Sequence, residues 1–90
     1  MPYISQVDRD AWKPALSVVC NVISVQGISN GELNYLMTRL ALLYLEAHGR
    51  SYNTLSDVIK AFECAKLEFY RRRVTPYEDH KILQNGDVYD

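Results

Sequence analysis

"SNGELNYLMTRLALLYLEAHG", residues 29–49, decides the fold class. Ser29 and Glu32 stand in the S-x-x-E spacing of a capping box. There the serine oxygen takes a backbone N–H three residues on, and the glutamate reaches back to the serine N–H. Leu33, Leu36, Met37, Leu40, Leu43, Tyr44 and Ala47 then recur at steps of three and four, which sets them on one wide helical face. Gly49 occupies the position just past a helix end, with His48 in the last turn. The spacing predicts a helix of about twenty residues, a rod of roughly 30 Å.

Working outward, a second long helix is predicted from about Asn53 or Thr54, with Thr54 and Asp57 both suited to cap it. Leu55, Val58, Ile59, Phe62, Ala65 and Phe69 form its apolar stripe, and no glycine or proline interrupts it before Pro76. The short "HGRSYN" link implies an antiparallel pair. Thr75-Pro76-Tyr77-Glu78 combines an N-cap threonine, a proline at the first helical position and a glutamate at the third. That pattern starts a short terminal helix, turned back over the end of its predecessor, closed by Asn85-Gly86 and followed by the tail "DVYD".

Upstream, Ser5 with Asp8 caps a short turn, and Pro14 suits the opening of the next helix. "ALSVVCNVISV" is β-branched enough for a buried strand, but Leu16, Val19, Cys20 and Ile23 keep a helical step and no partner strand is in view. Gln26-Gly27 ends that helix. The predicted fold is all-α, a small antiparallel bundle of three main helices plus a short C-terminal helix and tail, forming a single domain over residues 1–90.

Ninety residues, 48% hydrophobic and 23% charged, make one globular domain with a core near the lower size limit. A net charge of −1 argues against a dedicated nucleic-acid binder, although six of the ten Lys and Arg fall between Lys60 and Lys81. Cys20 and Cys64 lack metal-ligand spacing and are expected as buried free thiols. No apolar run approaches the roughly 20 residues of a membrane span, and "MPYISQVDRD" lacks the apolar stretch of a signal peptide. A soluble intracellular protein is expected. Three helices of these lengths also carry more apolar face than so short a chain covers by itself, "LALLYL" above all, so a homo-oligomer is expected.

Chemistry concentrates in "EFYRRRVTPYEDHK", residues 68–81. Helical residues advance about 100° each, so Arg71, Arg72 and Arg73 fan outward. Arg72 follows Glu68 by four residues, the favourable order for a surface ion pair. Lys66, Tyr70 and Arg73 share a stripe, and Arg71 another with Lys60 and Leu67. With Tyr77 and Lys81 brought back by the Pro76 turn, the candidate ligand-binding residues are Lys66, Tyr70, Arg71, Arg73, Tyr77 and Lys81. Guanidinium forks suit phosphate and phenol rings stack on bases, so the matching ligand is an anionic small molecule of nucleotide type. Two other readings stay open: basic residues complementing the helix dipole, and a clamp in which Arg71 or Arg73 pairs with Glu78 or Asp79. Seven tyrosines against two Phe and one Trp fit half-buried rings at an interface or along a core rim. The chain has no Gly-flanked nucleophile, phosphate-cradling loop or H-E-x-x-H, so a non-enzymatic protein without metal or cofactor is expected.

The blocks "MPYISQVDR", "GELNYLMTRL", "SYNTLSDVIKAFECAKLEFYRR" and "PYEDHKILQNGDVY" together resemble a family of small proteins of tailed bacteriophages and prophages. The pattern departs at Lys13, where an acidic cap would precede Pro14. The resemblance implies a phage origin and action in the cytoplasm of an infected bacterium. By analogy with other small phage proteins it suggests an accessory binding protein that sequesters a nucleotide immune signal. An inhibitor or adaptor docking on a host or phage protein is the alternative, and local nucleic-acid binding through Arg71, Arg72 and Arg73 is a third reading.

Overall fold

The computed structural model describes residues 3–89; Met1, Pro2 and Asp90, the last residue of the "DVYD" tail, lie outside them. The fold is all-α, with no strand among the described residues. Three main helices, α1 (Gln6–Gln26), α2 (Asn30–His48) and α3 (Tyr52–Phe69), precede a π-helical segment (Tyr70–Val74) and the short α4 (Thr75–Asn85). The chain divides into two compact units, Met1–Thr38 and Arg39–Asp90.

In the first unit the Ser5 hydroxyl accepts from the Asp8 N–H at 3.2 Å, as the spacing predicts. The expected break at Pro14 does not occur, because α1 runs through it as one helix. An interior proline withholds the N–H that would meet the carbonyl four residues back, here Asp10, and costs about 3 kcal/mol. The preceding turns are reinforced by side chains. Arg9 donates to Gln6 at 2.7 Å, Gln6 to Asp10 at 2.8 Å, and Lys13 pairs with Asp10 at 2.8 Å. Hydrogen bonds from Lys13 and then Gln6 hold the Asp10 carboxyl below the usual carboxylate range. Gly27 stops the helix at φ 77°, its N–H bonded to the Ile23 carbonyl at 2.7 Å.

The box at the start of α2 forms as read. Glu32 N–H donates to the Ser29 hydroxyl at 3.1 Å, and Ser29 N–H to the Glu32 carboxylate at 2.9 Å. The backbone donor first, then the hydroxyl, lowers the Glu32 pKa. Gly49, at φ 81°, follows the last turn, its N–H on the Leu45 carbonyl at 2.7 Å.

In the second unit the cap of α3 is Ser51, not Thr54 or Asp57. Thr54 is the third helical residue of a reciprocal box, its N–H donating to Ser51 at 3.1 Å and its hydroxyl accepting from Ser51 N–H at 2.9 Å. Asp57 is thereby free for another partner: the Tyr44 hydroxyl of α2 donates to it at 3.0 Å, tying the helices together across their turn.

None of the described residues is buried. Ile23, Leu45 and Val58 are half-covered, whereas Leu40 remains 66% exposed and Ile59 67%. Cys20 and Cys64 are exposed, contrary to expectation, because nothing among the described residues covers the faces that carry them.

Candidate functional site

The structure overturns the geometry expected around Pro76. The sequence pattern makes Thr75 a cap that breaks the helix. Thr75 instead lies in the right-handed helical region at φ −58°, ψ −48°, and so does Val74 at φ −78°, ψ −48°. The chain stays helical from Tyr52 through Asn85. The proline is absorbed by widening the helix. The Thr75 N–H reaches the Tyr70 carbonyl five residues back, the bonding of a π turn, which relieves the crowding an α turn would impose on the pyrrolidine ring. The Arg72 carbonyl, which Pro76 cannot serve, receives a long contact of 3.5 Å from the Arg73 guanidinium.

Without the fold-back, Pro76 does not turn Tyr77 and Lys81 back over Lys66, Tyr70, Arg71 and Arg73. Lys66 faces Glu63 at 3.7 Å, and the expected Arg72–Glu68 pair is present at 3.1 Å. Both are exposed ion pairs of the kind that contribute little. A clamp does exist, on the expected Glu78 but with Tyr70 in place of an arginine: the Tyr70 hydroxyl donates to the Glu78 carboxylate at 2.6 Å, bridging the π segment. Lys81 sits over the Tyr77 ring at 5.6 Å. Arg71 and Arg73 meet no carboxylate within ion-pair distance among the described residues.

A return of the chain does occur, one element later. Gly86, at φ 84° and ψ 158°, ends α4 and starts the tail, where Tyr89 N–H donates to Asp87 at 2.9 Å. A shallow hollow of about 250 Å³ results, with Glu78, Lys81, Asp87 and Tyr89 on its walls. Of the six candidate residues it takes in Lys81 alone, and its two carboxylates make it a poor receptor for an anion.

Glu78 raises the Tyr70 pKa above its ordinary 10.0, first by accepting its hydrogen bond and then by its charge; Tyr44 is raised first by its hydrogen bond to Asp57, then by desolvation and then by the Asp57 charge. A phenol favoured in its protonated form gives stability that is complete below the unfolded pKa of about 10 and is lost as pH rises through the higher folded value. In an alkaline absorbance titration two of the seven tyrosines should therefore ionise last, and Glu78→Gln should return one of them towards the others. An unchanged titration in Glu78→Gln would remove the clamp.

A larger hollow, of about 350 Å³, lies within the first unit at the α1–α2 corner. Val18, Val19, Val22 and Ile23 line it from α1, Ile28 from the link, and Leu36 from α2. The periodicity of α1 marks Val19 and Ile23 as core. The corner that makes them a concave wall depends on the Gly27 torsions, which a period-based reading does not carry. Among the described residues no cluster of three or more His, Cys, Asp or Glu could hold a metal ion. No helix among them is long and apolar enough to cross a membrane.

A family model described as a domain of unknown function, DUF6899, matches residues 1–88, so the chain belongs to that family. No curated protein matches the chain, and no solved structure does.

Proposed function

We propose that this member of the DUF6899 family is a non-enzymatic protein-interaction module, an accessory factor whose apolar helix faces are completed by another polypeptide. The observation that carries this reading is that amphipathic helices with well-made caps leave every described residue unburied. In a protein, packing of the amphipathic apolar face rather than intrinsic propensity supplies most of a helix's stability. The resemblance to small phage proteins supports an inhibitor or adaptor acting in the cytoplasm of an infected bacterium. Tagged chain isolated from bacterial cells is expected to carry a polypeptide in fixed stoichiometry, another copy included, and to re-form that complex from purified components. A fully helical, monodisperse monomer that captures nothing counts against the module.

A second reading rests on Arg71 and Arg73, the guanidinium groups that no carboxylate neutralises among the described residues. These are the groups with which the chain would hold an anionic nucleotide, alone or beside a partner's surface. Isothermal titration against cyclic and ADP-ribose-type nucleotides tests it. Heat that disappears in the Arg71→Ala, Arg73→Ala double variant supports the reading, and absence of heat at micromolar protein removes it.

A further inference from the structure

We propose that the hollow at the α1–α2 corner is a self-association seam, filled by the valine stripe of α1 from a second copy of this chain; the proposal rests on the interaction-module reading and names its first partner. The area argument comes first. The chain exposes 8248 Å², whereas a folded monomer of 10.4 kDa exposes about 5,400 Å². The excess, roughly 2,900 Å² per chain, far exceeds the roughly 800 Å² per partner of a standard interface and is of the size that obligate homodimers bury. A transient partner covers only a fraction of it. Another copy is present at equal concentration from synthesis onward, and a net charge of −1 puts up no barrier to its approach.

The lining explains why this part of the molecule is the seam. Val18, Val19, Val22 and Ile23 are β-branched, and in a helix such side chains keep essentially one rotamer. They therefore lose little entropy when a partner covers them. The β-branched run that weakens α1 as an isolated helix is thus well made for a contact between copies. Val18 and Val19 are 62% and 42% exposed, so the stripe projects as well as lining the hollow. Two-fold pairing lets the stripe of each copy enter the hollow of the other, residue i meeting j and j meeting i. Of the polar residues in the lining, Gln26 is uncharged, and one Glu32 carboxylate oxygen accepts from the Ser29 N–H, which ties that acid to the start of α2.

Analytical ultracentrifugation of the full chain tests the seam. The wild type should sediment as an oligomer at low micromolar concentration. Val22→Asp should weaken association about a hundredfold or more, since each copy would bury an unpaired carboxylate. Ser24→Asp, the same charge on the opposite side of α1, should leave it intact. Because Val22→Asp could unfold the chain, a second measurement uses Cys20→Ser and Cys64→Ser together with Val18→Cys, which sets the sole thiol on the stripe itself. A short bifunctional maleimide should then join two copies through the thiol at position 18. An oligomer that tolerates Val22→Asp, or that fails to cross-link at position 18, overturns the seam and leaves the module reading standing. A wild-type chain that stays monomeric and helical overturns the seam and, if it captures no other protein, the module as well.

Discussion

Replacing Pro76 by alanine should stabilise the α3–α4 helix by about 2 kcal/mol while disordering what the C-terminal end presents. An interior proline costs a helix about 3 kcal/mol, and alanine returns up to about 1 kcal/mol of that through the freer unfolded chain. Alanine would restore the N–H that the Arg72 carbonyl lacks and remove the ring that the π turn accommodates. With the five-residue bond from Thr75 to Tyr70 relaxed to the ordinary four, every residue beyond it rotates by about 100° relative to α3. Glu78 then leaves the Tyr70 hydroxyl. The variant should melt higher, yet its slow-ionising tyrosines should fall from two to one. A lower melting temperature would contradict the account, as would an unmoved Tyr70 titration. If the Arg71–Arg73 fan is a working surface, the variant should also lose binding despite its greater stability, because the wide turn sets the direction in which those side chains point.

The legible part of the molecule is its punctuation. Ser29 with Glu32, Ser5 with Asp8, and the stops at Gly27, Gly49 and Gly86 are short-range chemistry between residues three or four apart, and all form as the spacing indicates. Glu68 with Arg72 is legible for the same reason. Prolines are the blind spot. A proline suits the first turn of a helix, so local rules read Pro14 and Pro76 both as starts. The structure carries the helix through both, with polar side chains bracing Pro14 and a π turn absorbing Pro76. The fold-back expected to bring the candidate residues together goes with the second of these readings, because helical continuity removes the break it depends on. The Tyr44–Asp57 link escapes because it joins residues on different helices, where no periodicity speaks. Burial is misjudged in a more instructive way. Apolar spacing identifies which faces must be covered, and says nothing about whether the same chain or another one covers them.

Gly27→Ala should cost about 2 kcal/mol although there is room for the added carbon, and Gly31→Ala should cost nothing or stabilise by up to about 1 kcal/mol. A Cβ built on Gly27 meets no atom within 4 Å, so a steric count predicts a neutral change. The backbone predicts otherwise. At φ 77° and ψ −177°, Gly27 occupies a region that is essentially closed to residues with a side chain. Alanine could escape into the left-handed helical well only by turning ψ through about 135°, which would redirect the link into α2 and take Ile28 and Leu36 away from the α1 wall. Gly31 sits in the first turn of α2, where an added Cβ would meet nothing nearer than the Ser29 hydroxyl at 3.9 Å, so the same substitution removes only unfolded-state freedom. Chemical denaturation of the two variants at one protein concentration gives the comparison, since assembly makes stability concentration-dependent. The two substitutions should move stability in opposite directions, and only Gly27→Ala should shift the association constant. Equal small effects at both positions would mean that the corner between α1 and α2 is not held by the Gly27 torsions, and the hollow would lose the feature that makes it concave.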